Sequence, residues 1–88
     1  MKYNILLSKK SEKQLNKITK NKQILIAKAI GELTNFSIKD SRNIKKMRTP
    51  FLGYRKRVGN YRILFEVAKD DKKIIIYKIG HRRDVYRY

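Results

Sequence analysis

The sequence predicts a single α+β domain of order β-α-α-β-β-β, in which an antiparallel sheet carries a helical hairpin on one face. Three observations predict it. Short β-rich runs occur at the start of the chain and again after residue 50, apolar residues recur at helical spacing between them, and a Gly-Asn turn joins two of the later runs. The 88 residues suffice for one modest core, so we expect one domain over 1–88.

The N-terminal half predicts one strand and two helices. Tyr3 to Leu7 is a short β-rich run, and Ser8 after it suits a helix N-cap. The first helix is expected from roughly Lys9 to Lys20. Asn21 is a second possible N-cap, and the apolar positions of the helix after it, up to about Thr34, are Leu25, Ile26, Ala29, Ile30 and Leu33.

The C-terminal half predicts three strands. Asn35 to Thr49 is polar and irregular, with Phe36, Ile38, Ile44 and Met47 as possible anchors. Pro50 ends any helix there, because the residue before proline avoids the α region. The strands are expected at about Phe51–Val58, Tyr61–Ala68 and Ile74–Ile79, and the last is apolar on both faces, which is typical of an interior strand.

The first two of these strands form a predicted tight hairpin. Gly59-Asn60 is a two-residue turn in which both residues tolerate φ > 0, so Arg57 should lie opposite Arg62. Because side chains alternate between faces, one face is the expected core face, with Leu52, Tyr54, Val58, Tyr61, Ile63, Phe65 and Val67. The other face, here called the arginine face, carries Arg55, Arg57 and Arg62.

The arginine face predicts an anionic ligand. Like charges directly opposite each other destabilise a sheet, and arginine offers a planar fork that matches phosphate oxygens. The alternative is a solvated outer face on a protein rich in lysine and arginine.

Composition narrows the function classes. The formal charge is +17, from 24 Lys and Arg against 7 Asp and Glu, which attracts nucleic acid, anionic membrane or an acidic protein. At 41% hydrophobic residues the chain is too apolar for a disordered basic tail. The absence of cysteine excludes disulfides and thiolate metal sites and favours a cytoplasmic location. No apolar run approaches a membrane span, and neither a metal site nor a cofactor is indicated.

The element order, the hairpin and the motifs YRILFEV (61–67) and IGHRRDVYR (79–87) resemble the RelE/ParE superfamily of bacterial and archaeal toxins of type II toxin–antitoxin systems. The resemblance implies a small RelE-like fold. It also implies one of two activities, since the RelE branch cleaves mRNA in the ribosomal A site and the ParE branch inhibits DNA gyrase.

The resemblance to RelE also implies the site residues. They are two basic residues on the second strand, an arginine on the third, an arginine after the last strand and a tyrosine near the C-terminus, which fall here on Arg55, Arg57, Arg62, Arg82 and Tyr86. All five positions keep a compatible residue type, which favours the RelE branch. Arg83 is a close alternative to Arg82 because this segment is shorter here, and Arg83 and Arg87 are candidates for substrate binding. His81 is a further catalytic candidate, since it alone titrates near neutrality and is similar to the late histidine of some RelE relatives.

RNA can be cleaved by attack of its own 2′-hydroxyl on the adjacent phosphate, which requires a base, an acid and stabilisation of a dianion. Arginines can stabilise the dianion, but they are poor proton carriers because the guanidinium group stays protonated. Most of the acceleration should therefore come from holding the mRNA so that its 2′-hydroxyl is in line with the leaving oxygen. The resemblance implies that the ribosomal A site supplies this geometry.

The resemblance further implies an acidic RelB-like antitoxin, through which the complex binds operator DNA. Two alternatives stay open: a ParE-like gyrase inhibitor, and a basic RNA-binding module without chemistry.

Overall fold

The structure, a computed structural model, describes residues 2–37 and 43–87. In chain order its elements are β1 (Asn4–Leu7), α1 (Lys9–Asn16), α2 (Lys20–Glu32), β2 (Ile44–Lys46), β3 (Tyr54–Val58), β4 (Tyr61–Ala68) and β5 (Lys73–His81), with a 3-10 turn at Leu33–Asn35 after α2. Ile38, predicted as a possible anchor, lies outside the described residues. Within the two described ranges, no helix is long and apolar enough to cross a membrane.

The strands form one sheet of order β1-β5-β4-β3-β2, and the predicted α+β fold class is confirmed. The sheet is mixed rather than antiparallel, because β1 pairs with β5 in parallel. Every other pair is antiparallel. β5 has a partner on each side, as its apolar pattern predicted.

The short strand β2 is the second difference from the prediction, which treated this stretch as irregular. Its three residues pair with β3, and Ile44 opposite Lys56 is the only one of them that is buried. A single inward-facing residue leaves no readable alternation. The strand therefore depends on its partner rather than on a local signal.

Both helices lie against one face of the sheet, with boundaries slightly different from those predicted. α1 begins where expected, since the backbone N–H of Ser11 donates to Ser8 Oγ at 3.1 Å. It ends at Asn16 rather than Lys20, and the N-cap of α2 is Thr19 rather than Asn21.

The core lies between the helices and the sheet, and its fully buried residues include Ile26, Leu33, Ile63, Phe65, Ile74 and Ile76. Two predicted core residues are instead exposed. Leu25 on α2 is 52% exposed, and Leu52 is 66% exposed. Leu52 precedes β3 and so lies outside the alternation of the strand.

The hairpin of β3 and β4 has the predicted register, with Arg57 opposite Arg62 and Arg55 opposite Leu64. Only one of its two turn residues has a positive φ. Gly59 has φ +58°. Asn60 does not have a positive φ, since Lys72 is the one non-glycine residue with a positive φ in the described ranges. Glycine at the first central position is the requirement of a type II′ turn.

A β-bulge interrupts the pairing of β4 with β5. Leu64 lies opposite Lys78 and Phe65 opposite Ile76, so Tyr77 is the extra residue. Because alternation restarts after a bulge, Ile79 and His81 lie on the helix side and Gly80 on the arginine face.

Candidate functional site: the arginine face

The face of the sheet opposite the helices holds the three predicted arginines together. Arg55 and Arg57 come from β3 and Arg62 from β4, and their register places them on neighbouring strands. β2 adds Lys45 opposite Arg55. Together with Asn43 these side chains line a cavity of about 140 Å³. The sheet thus presents four cations around one opening.

The guanidinium groups are held by neutral oxygens. Arg62 Nη1 donates to the carbonyl oxygens of Gly59 at 3.0 Å and Tyr61 at 2.9 Å. Arg57 Nη2 donates to Asn43 Oδ1 at 3.5 Å. The ion pairs formed by the described residues are Lys56–Glu32 and Arg87–Asp84, so no carboxylate neutralises the three arginines there. Each guanidinium has five N–H donors, which leaves several for a ligand.

The electrostatics of the face are repulsive. Burial lowers the pKa of Arg62 below its ordinary value, and the neighbouring positive charges of Arg55, Arg57 and Arg82 lower that pKa further, while Tyr86 acts in the opposite direction. The side chain stays charged at any working pH. A bound anion would relieve this repulsion.

The segment after β5 folds back as a turn over residues 82–86. The backbone N–H of Arg82 donates to the Asn60 carbonyl at 2.7 Å, and that of Val85 donates to the His81 carbonyl at 2.9 Å. The Val85 side chain is buried against Gly80, with its Cβ 3.5 Å from where a glycine Cβ would lie. The turn is thereby fixed beside the hairpin.

This turn brings Tyr86 to the arginine face. Its hydroxyl accepts a hydrogen bond from Arg55 Nη1 at 3.2 Å. Its ring meets Phe51 edge-on, with centroids 5.3 Å apart. Five predicted site residues thus lie in one neighbourhood: Arg55, Arg57, Arg62, Arg82 and Tyr86.

His81 lies away from this neighbourhood. The bulge at Tyr77 puts it opposite Tyr61 on the helix side, where the two rings are 5.7 Å apart. Its Nδ1 accepts the backbone N–H of Arg83 at 3.2 Å. The structure therefore does not bring the one histidine to the arginine face, and its visible contact orders the C-terminal turn.

The two predicted substrate-binding arginines are exposed at the end of the turn. Arg87 Nη1 lies 3.6 Å from Asp84 Oδ1, and the Arg87 carbonyl accepts a hydrogen bond from Lys78 Nζ. Arg83 is exposed.

Sequence reasoning missed Lys45 and Asn43 because it did not predict β2. It also missed Lys56, for which a signal existed, since the alternation along β3 puts this lysine on the core face between Tyr54 and Val58. Its Nζ is buried and donates to Ala29 O at 2.9 Å and Glu32 Oε1 at 2.8 Å.

The acidic residues that the structure describes do not gather into a metal site. Across residues 2–37 and 43–87, no group of three or more His, Asp or Glu side chains could hold a metal ion. Glu66, the acid on the outer face of β4, borders a separate cavity with Leu52, Tyr77 and Lys78.

Comparison with known proteins gives a consistent result. The sequence profile of the ParE toxin of the type II toxin–antitoxin system parDE matches residues 5–86. RelE1 of Methanocaldococcus jannaschii, named as a candidate toxin, is 32% identical over 88 residues, which cover 99% of this chain and 98% of that protein.

Solved structures share the fold. A chain of the RelB–RelE antitoxin–toxin complex from Methanococcus jannaschii is 34% identical, with 94% of this chain and 96% of that chain covered and a TM-score of 0.74. A chain of the archaeal RelE–RelB complex from Pyrococcus horikoshii is 26% identical, with 96% and 99% covered and a TM-score of 0.78.

Proposed function

This chain belongs to the RelE/ParE superfamily of toxins of type II toxin–antitoxin systems, and we propose that it is a ribosome-dependent mRNA endonuclease. In this proposal it cleaves mRNA in the ribosomal A site and so inhibits translation. The supporting observation is the arginine face with Tyr86 hydrogen-bonded to Arg55 and Arg82 close enough to lower the pKa of Arg62.

The arginines stabilise charge in the proposed reaction. The 2′-hydroxyl of one nucleotide gives up its proton and attacks the adjacent phosphorus, while the bond to the 5′-oxygen breaks and that oxygen takes up a proton. The phosphoryl oxygens carry extra negative charge in between. Arg55, Arg57 and Arg62 present fixed donors where that charge develops, which is the largest effect available to such a site. Arg82 adds a fourth cation from the C-terminal turn.

Tyr86 positions the RNA. Its hydroxyl already accepts a hydrogen bond from Arg55, and its ring offers a stacking surface for a base beside the scissile phosphate. Arg83 and Arg87 extend the positive surface and contact flanking phosphates. His81 supports the turn through its contact with Arg83.

The described part of the arginine face lacks a side chain that carries protons near neutral pH, so in this proposal the ribosome supplies most of the acceleration by aligning the RNA. Among the side chains that the structure gathers at the arginine face, arginine stays protonated, and the one histidine lies on the other side of the sheet. Alignment of the 2′-hydroxyl with the leaving oxygen in the A site then supplies most of the acceleration.

Primer extension on an mRNA in a reconstituted translation system tests this proposal. The purified protein should produce discrete cuts at A-site codons with ribosomes and none on the same mRNA without them. Cuts of equal intensity on naked RNA would contradict ribosome dependence, and the absence of cuts from a folded sample would contradict nuclease activity.

The second candidate is a gyrase inhibitor on the same fold. The specific observation in its favour is that the matching profile is that of ParE toxins. Inhibition of supercoiling by purified gyrase, unchanged in Arg62→Ala and Tyr86→Phe variants, would support it over the endonuclease.

An antitoxin partner is part of the proposal. The relatives from Methanococcus jannaschii and Pyrococcus horikoshii were solved as complexes with RelB. A net charge of +17 makes an acidic RelB-like protein the complementary partner of this chain. Operator DNA would then be bound through the antitoxin.

A further inference from the structure

Two further cavities adjoin the cavity of the arginine face. The cavity lined by Arg55, Arg57 and Arg62 shares Arg55 with a second cavity of about 230 Å³, which Phe51 and Tyr86 also line. The second cavity shares Phe51 with a third, of about 400 Å³. Successive cavities therefore share a lining residue, and the third cavity lies beyond the three arginines of the arginine face.

The third cavity has a different chemistry from the first. Phe51, Leu52 and Tyr77 give it apolar and aromatic walls. Lys10, Lys78 and Glu66 stand around these walls, so donors and an acceptor surround an apolar interior. Flat aromatic ligands with polar edges suit such a combination, because their faces lose water while their edges keep hydrogen bonds.

The walls are held in place before any ligand arrives. The hydroxyl of Tyr77, the bulged residue of β5, donates to the Leu52 carbonyl at 2.7 Å. Phe51 is braced by its edge-on contact with Tyr86. Leu52 is nevertheless 66% exposed, so its side chain is available to a ligand without cost to the core.

We propose that the cavity of Phe51, Leu52 and Tyr77 is a subsite for one nucleobase of single-stranded RNA whose phosphates follow the arginine face. This subsite rests on the proposed function and extends it to a nucleotide away from the reacting phosphate. Along β4, Arg62 and Glu66 are four residues apart, about 13 Å at roughly 3.3 Å per residue. A few nucleotides cover that distance.

The charges around the cavity suit this occupant. Burial lowers the pKa of Lys78, and the neighbouring Lys10 lowers that pKa further. A phosphate or base carbonyl beside these two ammonium groups relieves their repulsion, while the Glu66 carboxylate accepts an N–H from the base edge. An acidic protein segment without an aromatic side chain would lack a flat ring for the walls.

Binding of a 5′-fluorescein-labelled hexanucleotide RNA tests the subsite, measured by fluorescence anisotropy with the full-length protein. Complete 2′-O-methylation of the RNA prevents cleavage. Leu52→Ser should weaken binding about fivefold to tenfold, within the range for loss of one stacked base. The matched control is Leu25→Ser, which removes a leucine of similar exposure on the helix side and should leave affinity unchanged.

Two further readouts identify a base contact. The first uses a set of oligonucleotides that each lack one base. Leu52→Ser should not weaken binding of the oligonucleotide that lacks the base occupying the cavity, because the contact is already lost. The second is the slope of log affinity against log salt concentration, which reflects the number of phosphate contacts. This slope should be the same for Leu52→Ser as for the wild type, whereas Arg57→Ala should reduce it by the amount expected for about one phosphate contact.

Three results would overturn the subsite: equal effects of Leu52→Ser and Leu25→Ser, a Leu52→Ser effect that survives every base removal, or no binding of the hexanucleotide at all. Weaker antitoxin binding by Leu52→Ser with normal RNA binding would assign the cavity to a protein segment. These outcomes are independent of the cleavage assay. Base-dependent binding without cleavage would retain the subsite and reject the endonuclease.

Discussion

Arg62 shows how a single residue concentrates the electrostatics of this face. Two backbone carbonyls fix one of its nitrogens, while burial and three neighbouring arginines lower its pKa. The positive charge is therefore in position before a ligand binds. Fixed donors of this kind need no reorganisation when negative charge develops on a phosphate.

Replacing Arg62 should abolish most of the proposed activity. Loss of one preorganised donor typically lowers the rate about 10²- to 10³-fold, and we expect Arg62→Ala to reduce ribosome-dependent cleavage by that amount. Lys69→Ala removes the same charge from an exposed turn and serves as the control. Single-turnover cleavage on programmed ribosomes measures both. Full activity of Arg62→Ala would exclude the arginine face as the site.

His81 should not control the pH dependence of the reaction. Its ring packs on Tyr61 on the helix side, away from the arginines. We expect His81→Gln to leave the shape of the pH–rate profile unchanged and to lower the rate only through the turn that carries Arg82. A profile between pH 5 and 8 that loses its inflection in this variant would make His81 a proton carrier after all.

Gly53 should be intolerant of any side chain. It has φ +84°, and a Cβ there would lie 2.2 Å from the Phe65 carbonyl oxygen. We expect Gly53→Ala to lower the free energy of unfolding by about 2 kcal/mol or more. Gly31→Ala, on a helical position with open space, should raise it by about 0.5 kcal/mol. Urea denaturation compares the two, and similar midpoints would contradict the clash.

At the level of elements, predictability followed the range of the interactions. The hairpin register was predictable because the Gly-Asn turn and the alternation around it are both local. β2 was not, because its strand state comes from pairing with β3. The gathering of Arg55, Arg57 and Arg62 followed from that register. The position of His81 could not be derived, because no local pattern marks Tyr77 as a bulge.

A buried lysine adds a polar contact to the apolar packing of α2 on the sheet. Lys56 of β3 donates to the Ala29 carbonyl and to Glu32, both on α2. The hydrogen bond and the charge of Lys56 lower the pKa of Glu32. A carboxyl with a lowered folded-state pKa stabilises the fold above its unfolded pKa, and that stabilisation is lost as the pH falls through the folded value.

The Glu32 contact should therefore add a small acid-sensitive contribution to stability. We expect Glu32→Gln to cost less than about 1 kcal/mol at pH 7, since the carboxylate is largely exposed. It should also reduce the loss of stability below about pH 4.5. Lys56→Met should cost more, about 1–3 kcal/mol, because it leaves the Ala29 carbonyl without its donor. Urea denaturation at pH 7 and pH 3.5 measures both, and equal costs would contradict this ranking.

For the whole molecule, a charge of +17 on 88 residues makes long-range attraction a dominant property. The association rate with an acidic antitoxin should fall by about tenfold or more between 50 and 500 mM salt, while the dissociation rate changes little. Surface plasmon resonance with the immobilised antitoxin measures both rates. A salt-independent association rate would show that exposed charge does not guide the encounter.

The bulge at Tyr77 decides which face the C-terminal end of β5 presents. If β5 kept all its residues and alternated continuously through Tyr77, His81 would turn to the arginine side and Gly80 towards the helices. The C-terminal turn would then leave the strand from the wrong side of the sheet. In evolutionary terms, the chemical character of this face is set by where β5 accommodates an extra residue as well as by which residues it contains.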